Sequence, residues 1–241
     1  MKQNEVVINT IERLGGIATL GQLYKEVFKV KDCNWKTKTP FASIRRIVQQ
    51  DKNIYKINPG LYALLKYKIV FEREGIVEEN QNNKINIGFN HTYYQGLLLE
   101  IGNMKEMITY IPPQDKNKLF INIPLKNLSS IDKIFDFTYP SLVDRAKTID
   151  VIWFNERKLL SSVFEVEYST DIQNSLLKFH DLQDFNTKFY IVSSEERKEE
   201  FVKKINYSSF KSIKDRIYFI DYKYISDLHT KMSELYSIKQ L

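Results

Sequence analysis

The sequence predicts a two-part α+β chain: a small helical unit closed by a β-hairpin, then an α/β domain built on a mixed sheet. Three observations predict it. Three short amphipathic patterns and a two-strand pattern fill about the first 65 residues. From Phe89 onward, helical and strand-like runs alternate in the order of an α/β domain. The charge is also uneven: residues 1–75 carry 14 Lys/Arg and 7 Asp/Glu, whereas residues 76–241 carry 22 and 23.

The 241 residues are 43% hydrophobic and 27% charged, enough apolar material for one or two cores. Aromatic and β-branched residues throughout exclude a disordered chain. No run reaches the roughly 18 apolar residues of a membrane helix, and the first residues lack the apolar stretch of a secretory signal. The single cysteine, Cys33, excludes an internal disulfide framework and a thiolate zinc cluster. A soluble cytoplasmic protein with no membrane partner is expected. The basic first part points to a polyanion partner or to a solvated lysine surface, and charge alone leaves both open.

In chain order, Val6, Val7, Ile8, Ile11 and Leu14 recur at helical spacing, and Gly15-Gly16 stops the run. Thr19 is an N-cap for a helix over Thr19–Phe28, with Leu20, Leu23 and Val27 as its apolar stripe. A basic stretch, Lys29–Thr39, leads to Pro40 at the first position of a third helix, Pro40–Gln50. Its Phe41, Ile44, Ile47 and Val48 are expected inward. Ile54–Ile57 and Leu61–Leu65, joined at Asn58-Pro59-Gly60, make the hairpin. Three helices and a hairpin form a winged helix-turn-helix, in which the third helix enters the DNA major groove. Lys36, Lys38, Thr39, Ser43, Arg45, Arg46 and Gln49, with Lys56 on the hairpin, are the candidate contacts to phosphate and base edges. Such a domain can also be a protein–protein module. Leu14-Gly15-Gly16, the Ala42–Gln49 helix and Pro59–Leu64 resemble the HARE-HTH group of winged helices, which are fused to restriction enzymes and chromatin proteins. Residues 1–75 are read as this domain.

Glu78–Lys84 is polar and Asn-rich, and residues 76–90 are read as a linker. The second domain, 91–241, opens with a helix at Tyr93–Met104 and a strand at Met107–Ile111, stopped by Pro112-Pro113. Lys118–Ile123 is read as another strand, and 124–147 shows no pattern. Ile149–Phe154 and Val163–Tyr168 are strands. A helix at Ile172–Phe185, a strand at Phe189–Val192, a helix at Glu195–Ile205, a strand at Ile217–Ile220 and a helix at Tyr224–Tyr236 complete it.

Asp150 stands inside a strand-like run, among residues that favour burial. A buried carboxylate needs a proton, a counter-charge or a metal. Glu165 and Glu167, two apart on a strand, share a face, and like charges side by side call for a cation or a proton between them. If the two strands pair, Asp150 joins them. A hard divalent cation such as Mg²⁺ takes oxygen ligands of this kind, the arrangement for metal-assisted phosphodiester hydrolysis. Taken singly, each feature is equally an ordinary salt-bridged acid or a solvated strand face. The histidines His91, His180 and His229 show no zinc spacing.

The Asp150…Glu165-Val166-Glu167 pattern, with fourteen residues between Asp150 and Glu165, resembles the PD-(D/E)xK core of type II restriction endonucleases. The string from Ile149 to Phe185 is similar to a branch of that superfamily with an E-V-E-H-S-T signature, and the resemblance runs from His91 to Tyr224. It implies a restriction endonuclease-like mixed-sheet α/β domain. It also implies that Asp150, Glu165 and the Val166 carbonyl hold a catalytic Mg²⁺, which Mn²⁺ can replace. Three positions depart from the pattern: Glu167 stands where lysine is usual, Ile149 where proline is common, and Tyr168 where the branch has histidine. Glu167 then acts as a base, as a second-metal ligand, or leaves the site inactive. Glu100 matches an acid that the branch places on its first helix, and is otherwise a surface acid. Ser169 and Thr170 can contact a phosphate or, with Asp171, cap the next helix.

The resemblance implies a type II restriction endonuclease. The first domain binds double-stranded DNA, the second hydrolyses phosphodiesters, and a homodimer brings two active centres to one site. A cognate DNA methyltransferase, not physically bound, would accompany it. The alternatives are a modification-dependent endonuclease, a DNA-binding regulator with an inactive nuclease fold, and an adaptor that does not bind DNA.

Overall fold

The computed structural model describes residues 1–31, 33, 35, 37–76 and 86–238. Lys36 and the linker segment Glu78–Lys84 lie outside the described residues. Two compact units divide the chain, one drawn from Met1–Phe89 with Ser226–Leu241, the other from Asn90–Ile225. Residues from Ser226 onward thus group with the first unit, whereas the sequence places them in the second domain.

The first unit contains α1 (Gln3–Arg13), β1 (Ile17–Thr19), α2 (Leu20–Glu26), α3 (Pro40–Gln50), β2 (Ile54–Asn58), β3 (Leu61–Leu64) and α4 (Lys68–Arg73). Val6, Val7 and Ile11 of α1 are fully buried, as their three- and four-residue spacing requires. Gly15 and Gly16, at φ 94° and 85°, turn the chain out of the helix in a conformation that side chains disfavour. Thr19 caps α2 reciprocally: its Oγ1 accepts from the Gln22 N–H at 3.1 Å, and the Gln22 side chain accepts from the Thr19 N–H at 2.8 Å. Helix α3 starts at Pro40 and buries Phe41, Ile44 and Val48, while Ile47 is only half-buried. The hairpin β2–β3 gains β1 as a third antiparallel strand, in the order β1-β3-β2. Neither β1 nor α4 is expected from the sequence pattern. The C-terminal residues pack closely on this unit: a Cβ added at Gly21 would lie 2.5 Å from Ser233 Oγ and 2.8 Å from His229 Cε1.

The second unit contains the greater part of α5 (Asn86–Met104), then β4 (Ile108–Tyr110), β5 (Leu119–Phe120), β6 (Ile123–Pro124), α6 (Pro140–Ala146), β7 (Val151–Phe154) and β8 (Leu160–Glu167). It continues with α7 (Ile172–Asp181), β9 (Lys188–Ser193), α8 (Lys198–Ile205), β10 (Ile217–Asp221) and the start of α9 (Tyr222–Ile238). The five-stranded sheet runs β10-β9-β8-β7-β4. Strands β8, β9 and β10 are mutually parallel, and β7 and β4 add antiparallel partners, so the sheet is mixed. Lys118–Ile123 is not one strand. It forms two two-residue strands that fold back around Ile121, whose φ of 57° breaks the extended run. Helix α6, opened by Pro140, lies in the stretch that shows no sequence pattern.

Ile152, Phe154, Val163, Phe189 and Ile191 of the sheet pack against Ile172, Leu176 and Phe179 of α7 in one core. Each such side chain contributes about 1.5–3 kcal/mol by leaving water. Helix α5 lies close to Phe120 and Trp153. A Cβ at Gly96 would collide with the Phe120 ring, and Trp153 Nε1 donates to the Leu98 carbonyl at 3.1 Å. These contacts fix the helix whose side chains reach Asp150.

Candidate active site

The register of β7 on β8 pairs Val151 with Phe164 and Ile152 with Val163. Carried one residue back, it sets Asp150 opposite Glu165. The Val166 N–H closes this corner by donating to Asp150 Oδ2 at 2.8 Å. Alternation along a strand puts Glu165 and Glu167 on the Val163 face, which α7 covers. Glu165 is 3% exposed, Glu167 4% and Asp150 9%. The E-x-E pair is therefore no solvated face; both acids are inside the fold.

Helix α7 supplies what makes that burial tolerable. Asp171 caps it, accepting from the Gln173 N–H at 2.8 Å. Thr170 instead turns its hydroxyl to the Glu167 carboxylate. Ser175 and Lys178, three residues apart, lie on one face of the helix. The Ser175 hydroxyl lies against both acids, 3.1 Å from Glu165 Oε2 and close to Glu167 Oε1. Lys178 Nζ donates to both Glu165 oxygens at 2.9 Å and to the Thr148 carbonyl at 3.0 Å. The Glu167 carbonyl accepts from the Tyr222 hydroxyl at 2.9 Å, which anchors the end of β8. Burial, with the Asp150 charge behind it, pushes the Glu165 carboxyl up to about 8, against the pull of Lys178.

On the other side of Asp150 stands α5. His91 Nε2 is 3.1 Å from Asp150 Oδ2, and Gln95 Nε2 is 3.5 Å from Asp150 Oδ1. Gln95 also donates to Asp115 Oδ2 at 2.7 Å, and Asp115 Oδ1 pairs with Lys118 Nζ at 2.6 Å. Burial works against protonation of His91, but its hydrogen bond to Asp150 and the charges of Asp150 and Asp115 hold its pKa above the usual value. Glu100, half-buried, lies five residues beyond Gln95. Five residues turn a helix by roughly 140° net, so Glu100 does not share the face of α5 from which Gln95 meets Asp150.

The sequence reading missed His91, Gln95, Asp115 and Ser175 as partners of the acids. His91 and Gln95 carry a usable signal, four residues apart on one helical face. Asp115 carries none: it follows Pro112-Pro113 in a loop without periodicity, yet is 3% exposed.

The candidate DNA contacts of the first unit divide. Lys38, Thr39, Arg46, Gln49 and Lys56 are exposed, and Arg46 and Gln49 lie one helical turn apart on α3. Ser43 is half-buried, with its hydroxyl 3.4 Å from the Thr39 carbonyl. Arg45 is already engaged within its unit, donating to the Tyr24 hydroxyl at 3.0 Å and to Glu234 Oε2 at 2.6 Å. It serves there as a tie between α2, α3 and the C-terminal helix. Among the described residues no helix is long and apolar enough to cross a membrane.

A mixed α/β sheet with buried acids where its antiparallel and parallel halves meet is the setting found here, and family comparison gives it a class. Residues 74–240 match the family described as the type II restriction enzyme NmeDI C-terminal domain, and the chain belongs to that family of restriction-enzyme domains. Among curated proteins it is similar to the type II restriction enzyme NmeDI of Neisseria meningitidis serogroup C. The two are 26% identical over 187 residues, which cover 73% of this chain and 52% of that enzyme. The chain thus spans about half the length of the curated relative it matches. No solved structure matches it.

Proposed function

We propose that this chain is a divalent-metal-dependent endonuclease of the PD-(D/E)xK kind, cutting double-stranded DNA as a type II restriction enzyme. The observation that carries the reading is the register that sets Asp150 opposite Glu165, with the Val166 backbone bonded to Asp150. The residues fit a hard cation. Asp150, Glu165 and Glu167 bring buried carboxylate oxygens to one corner of the sheet, and the cation facing Glu165 is a single ammonium. Asp150, Glu165 and the Val166 carbonyl would hold Mg²⁺ or Mn²⁺. When bound, the ion would stabilise charge on the phosphate and make water a better nucleophile.

The chain's own residues do the rest. Lys178 reaches over from α7 with the positive charge that β8 lacks at Glu167, and holds the Glu165 carboxylate by both oxygens. Ser175 and Thr170 orient Glu167, which accepts the proton of the attacking water. The first unit acts as a winged helix: Arg46 and Gln49 of α3, with Lys38 and Thr39 just before it, meet the duplex, and Lys56 follows the backbone from the hairpin. Two copies on a two-fold axis give the double-strand cut.

The test is plasmid cleavage with Mg²⁺, wild type against Asp150→Asn, on methylated and unmethylated DNA. Discrete fragments from wild type alone support the reading, and substrate preference shows whether methylation is required or prohibitive. A second reading, a DNA-binding regulator with an inactive nuclease fold, draws on one observation: both Glu167 oxygens already accept from hydroxyls. It predicts salt-sensitive binding and no cleavage with any divalent ion.

A further inference from the structure

Glu167 is the last residue of β8, and the last pair of its ladder with β9 is Glu167 with Ser193. A buried carbonyl at the end of a ladder needs partners from side chains. Here there are two. The Ser193 hydroxyl donates to the Glu167 carbonyl, and so does the Tyr222 hydroxyl, at 2.9 Å. The Glu167 carboxylate is held from elsewhere, by Thr170 and by Ser175 of α7. Main chain and side chain of this acid are thus fixed separately.

Tyr222 does more than satisfy that carbonyl, which Ser193 already does. It is buried, and its ring lies flat on Tyr94 of α5, with centroids 4.0 Å apart and planes 9° apart. Tyr94 is buried in turn and meets Tyr93 edge-on, and Tyr93 stacks on Phe120. On α5, His91, Tyr94 and Gln95 follow the three- and four-residue spacing of one helical face. His91 and Gln95 are the residues that meet Asp150. One stiff side chain therefore joins the α5 wall of the acid corner to the end of β8, with its ring on the first and its hydroxyl on the second.

We propose that Tyr222 is a positioning residue for the acid corner. It sets Glu167 relative to the His91–Gln95 face of α5, and so fixes where the proton acceptor stands when the phosphodiester is in place. That role rests on the reading of Glu167 as the acceptor of the water's proton. Tyr222 acts only through others: its hydroxyl is taken by a main-chain carbonyl and its ring by Tyr94. Placement matters here because a shift of about 1 Å in a reacting group can cost about a hundredfold in rate.

The experiment compares Tyr222→Phe and Tyr94→Leu, singly and together, in the full chain. Tyr222→Phe keeps the ring and its stack and removes only the hydroxyl. Single-turnover cleavage with Mg²⁺ at saturating DNA is expected to slow by roughly ten- to hundredfold, with DNA affinity and melting temperature close to wild type. Tyr94→Leu is expected to slow it likewise, and the double variant to be no slower than the slower single one, because both changes break one connection. Hydrogen exchange of the metal-free chain reads the same connection without cleavage. The amides at the end of β8 are expected to exchange about tenfold faster in Tyr222→Phe, and also in Tyr94→Leu although that change is on α5. Cleavage by Tyr222→Phe at the wild-type rate would overturn the proposal, as would losses that multiply in the double variant, the mark of two independent packing effects. Unchanged exchange at β8 in Tyr94→Leu would overturn it whatever cleavage shows. If wild type never cuts DNA, faster exchange at β8 in both variants keeps Tyr222 as the tie to Glu167 while the nuclease reading fails.

Discussion

Glu165→Gln isolates the electrostatic tension in the acid corner. Glu165 is 3% exposed, and burial with the neighbouring Asp150 charge lifts its carboxyl from 4.5 up to about 8. Below about pH 4.5 the group is protonated folded or unfolded, and the fold bears no penalty. Between 4.5 and about 8 the unfolded chain releases the proton and the folded chain keeps it, so stability falls as pH rises. Above 8 the loss is complete. At about 1.36 kcal/mol for each pH unit, the ceiling is roughly 5 kcal/mol. Water entry and movement of Lys178 on ionisation reduce it, and about 2 kcal/mol is the working expectation. Glutamine keeps the shape and an acceptor for Ser175 and Lys178 but cannot ionise. In EDTA at pH 8 the variant should therefore melt above wild type, by about 4–8 °C for a chain of this size. At pH 5 the difference should shrink towards zero. Thermal melts of both proteins at the two pH values provide the measurement. A gap that stays constant with pH, or favours wild type at pH 8, would refute the claim that Glu165 is a strained buried acid.

Four further variants have expected outcomes. Lys178→Met removes the counter-charge from Glu165, and urea denaturation at pH 8 should show a loss of about 3 kcal/mol. Cleavage should fall by roughly a hundredfold in the same variant. Arg46→Ala should weaken DNA binding and lower its salt slope by about one, measured by fluorescence anisotropy at several salt concentrations. Arg45→Ala should instead destabilise the first unit, because it strips Tyr24 and Glu234 of their partner. Thr19→Ala deletes the α2 cap, and denaturant melts should show a loss of about 1 kcal/mol.

Where local sequence governs local structure, the chain is legible. Pro40 and the Phe41, Ile44, Val48 spacing define α3 to the residue, and Thr19 is the cap its sequence suggests. The strand carrying Glu165 and the run around Asp150 stand out because β-branched and aromatic residues crowd around acids that need a reason to be there, although the strand after Ile149 begins only at Val151, so Asp150 precedes β7 rather than lying inside it. Less is legible where a long-range partner decides. β1 is three residues that become a strand only by pairing with β3. The Lys118–Ile123 run has strand composition, but the backbone reverses at Ile121. In the site, the acids are readable from one strand pattern, whereas Asp115 enters from a loop and Ser175 and Lys178 from a helix. No spacing rule links those three to Asp150; only the folded chain does. Arg45 shows the converse: its type and position suit DNA, but Glu234, 189 residues away, holds it.

The grouping of Ser226 onward with the first unit bears on the order of assembly during synthesis. Chains generally fold from the N-terminus as each domain emerges, at about 5–20 residues per second. Here the segment carrying Glu234, His229 and Ser233 is made after the second unit, roughly 140 residues after Phe89, a delay of roughly 7–28 s at those speeds. Until then Arg45 has no Glu234 to hold it, and the surface at Gly21 has no His229 or Ser233 against it. A ribosome stalled before Ser226 would therefore carry an unfinished first unit, open to proteases, beside a second unit whose residues had all been made.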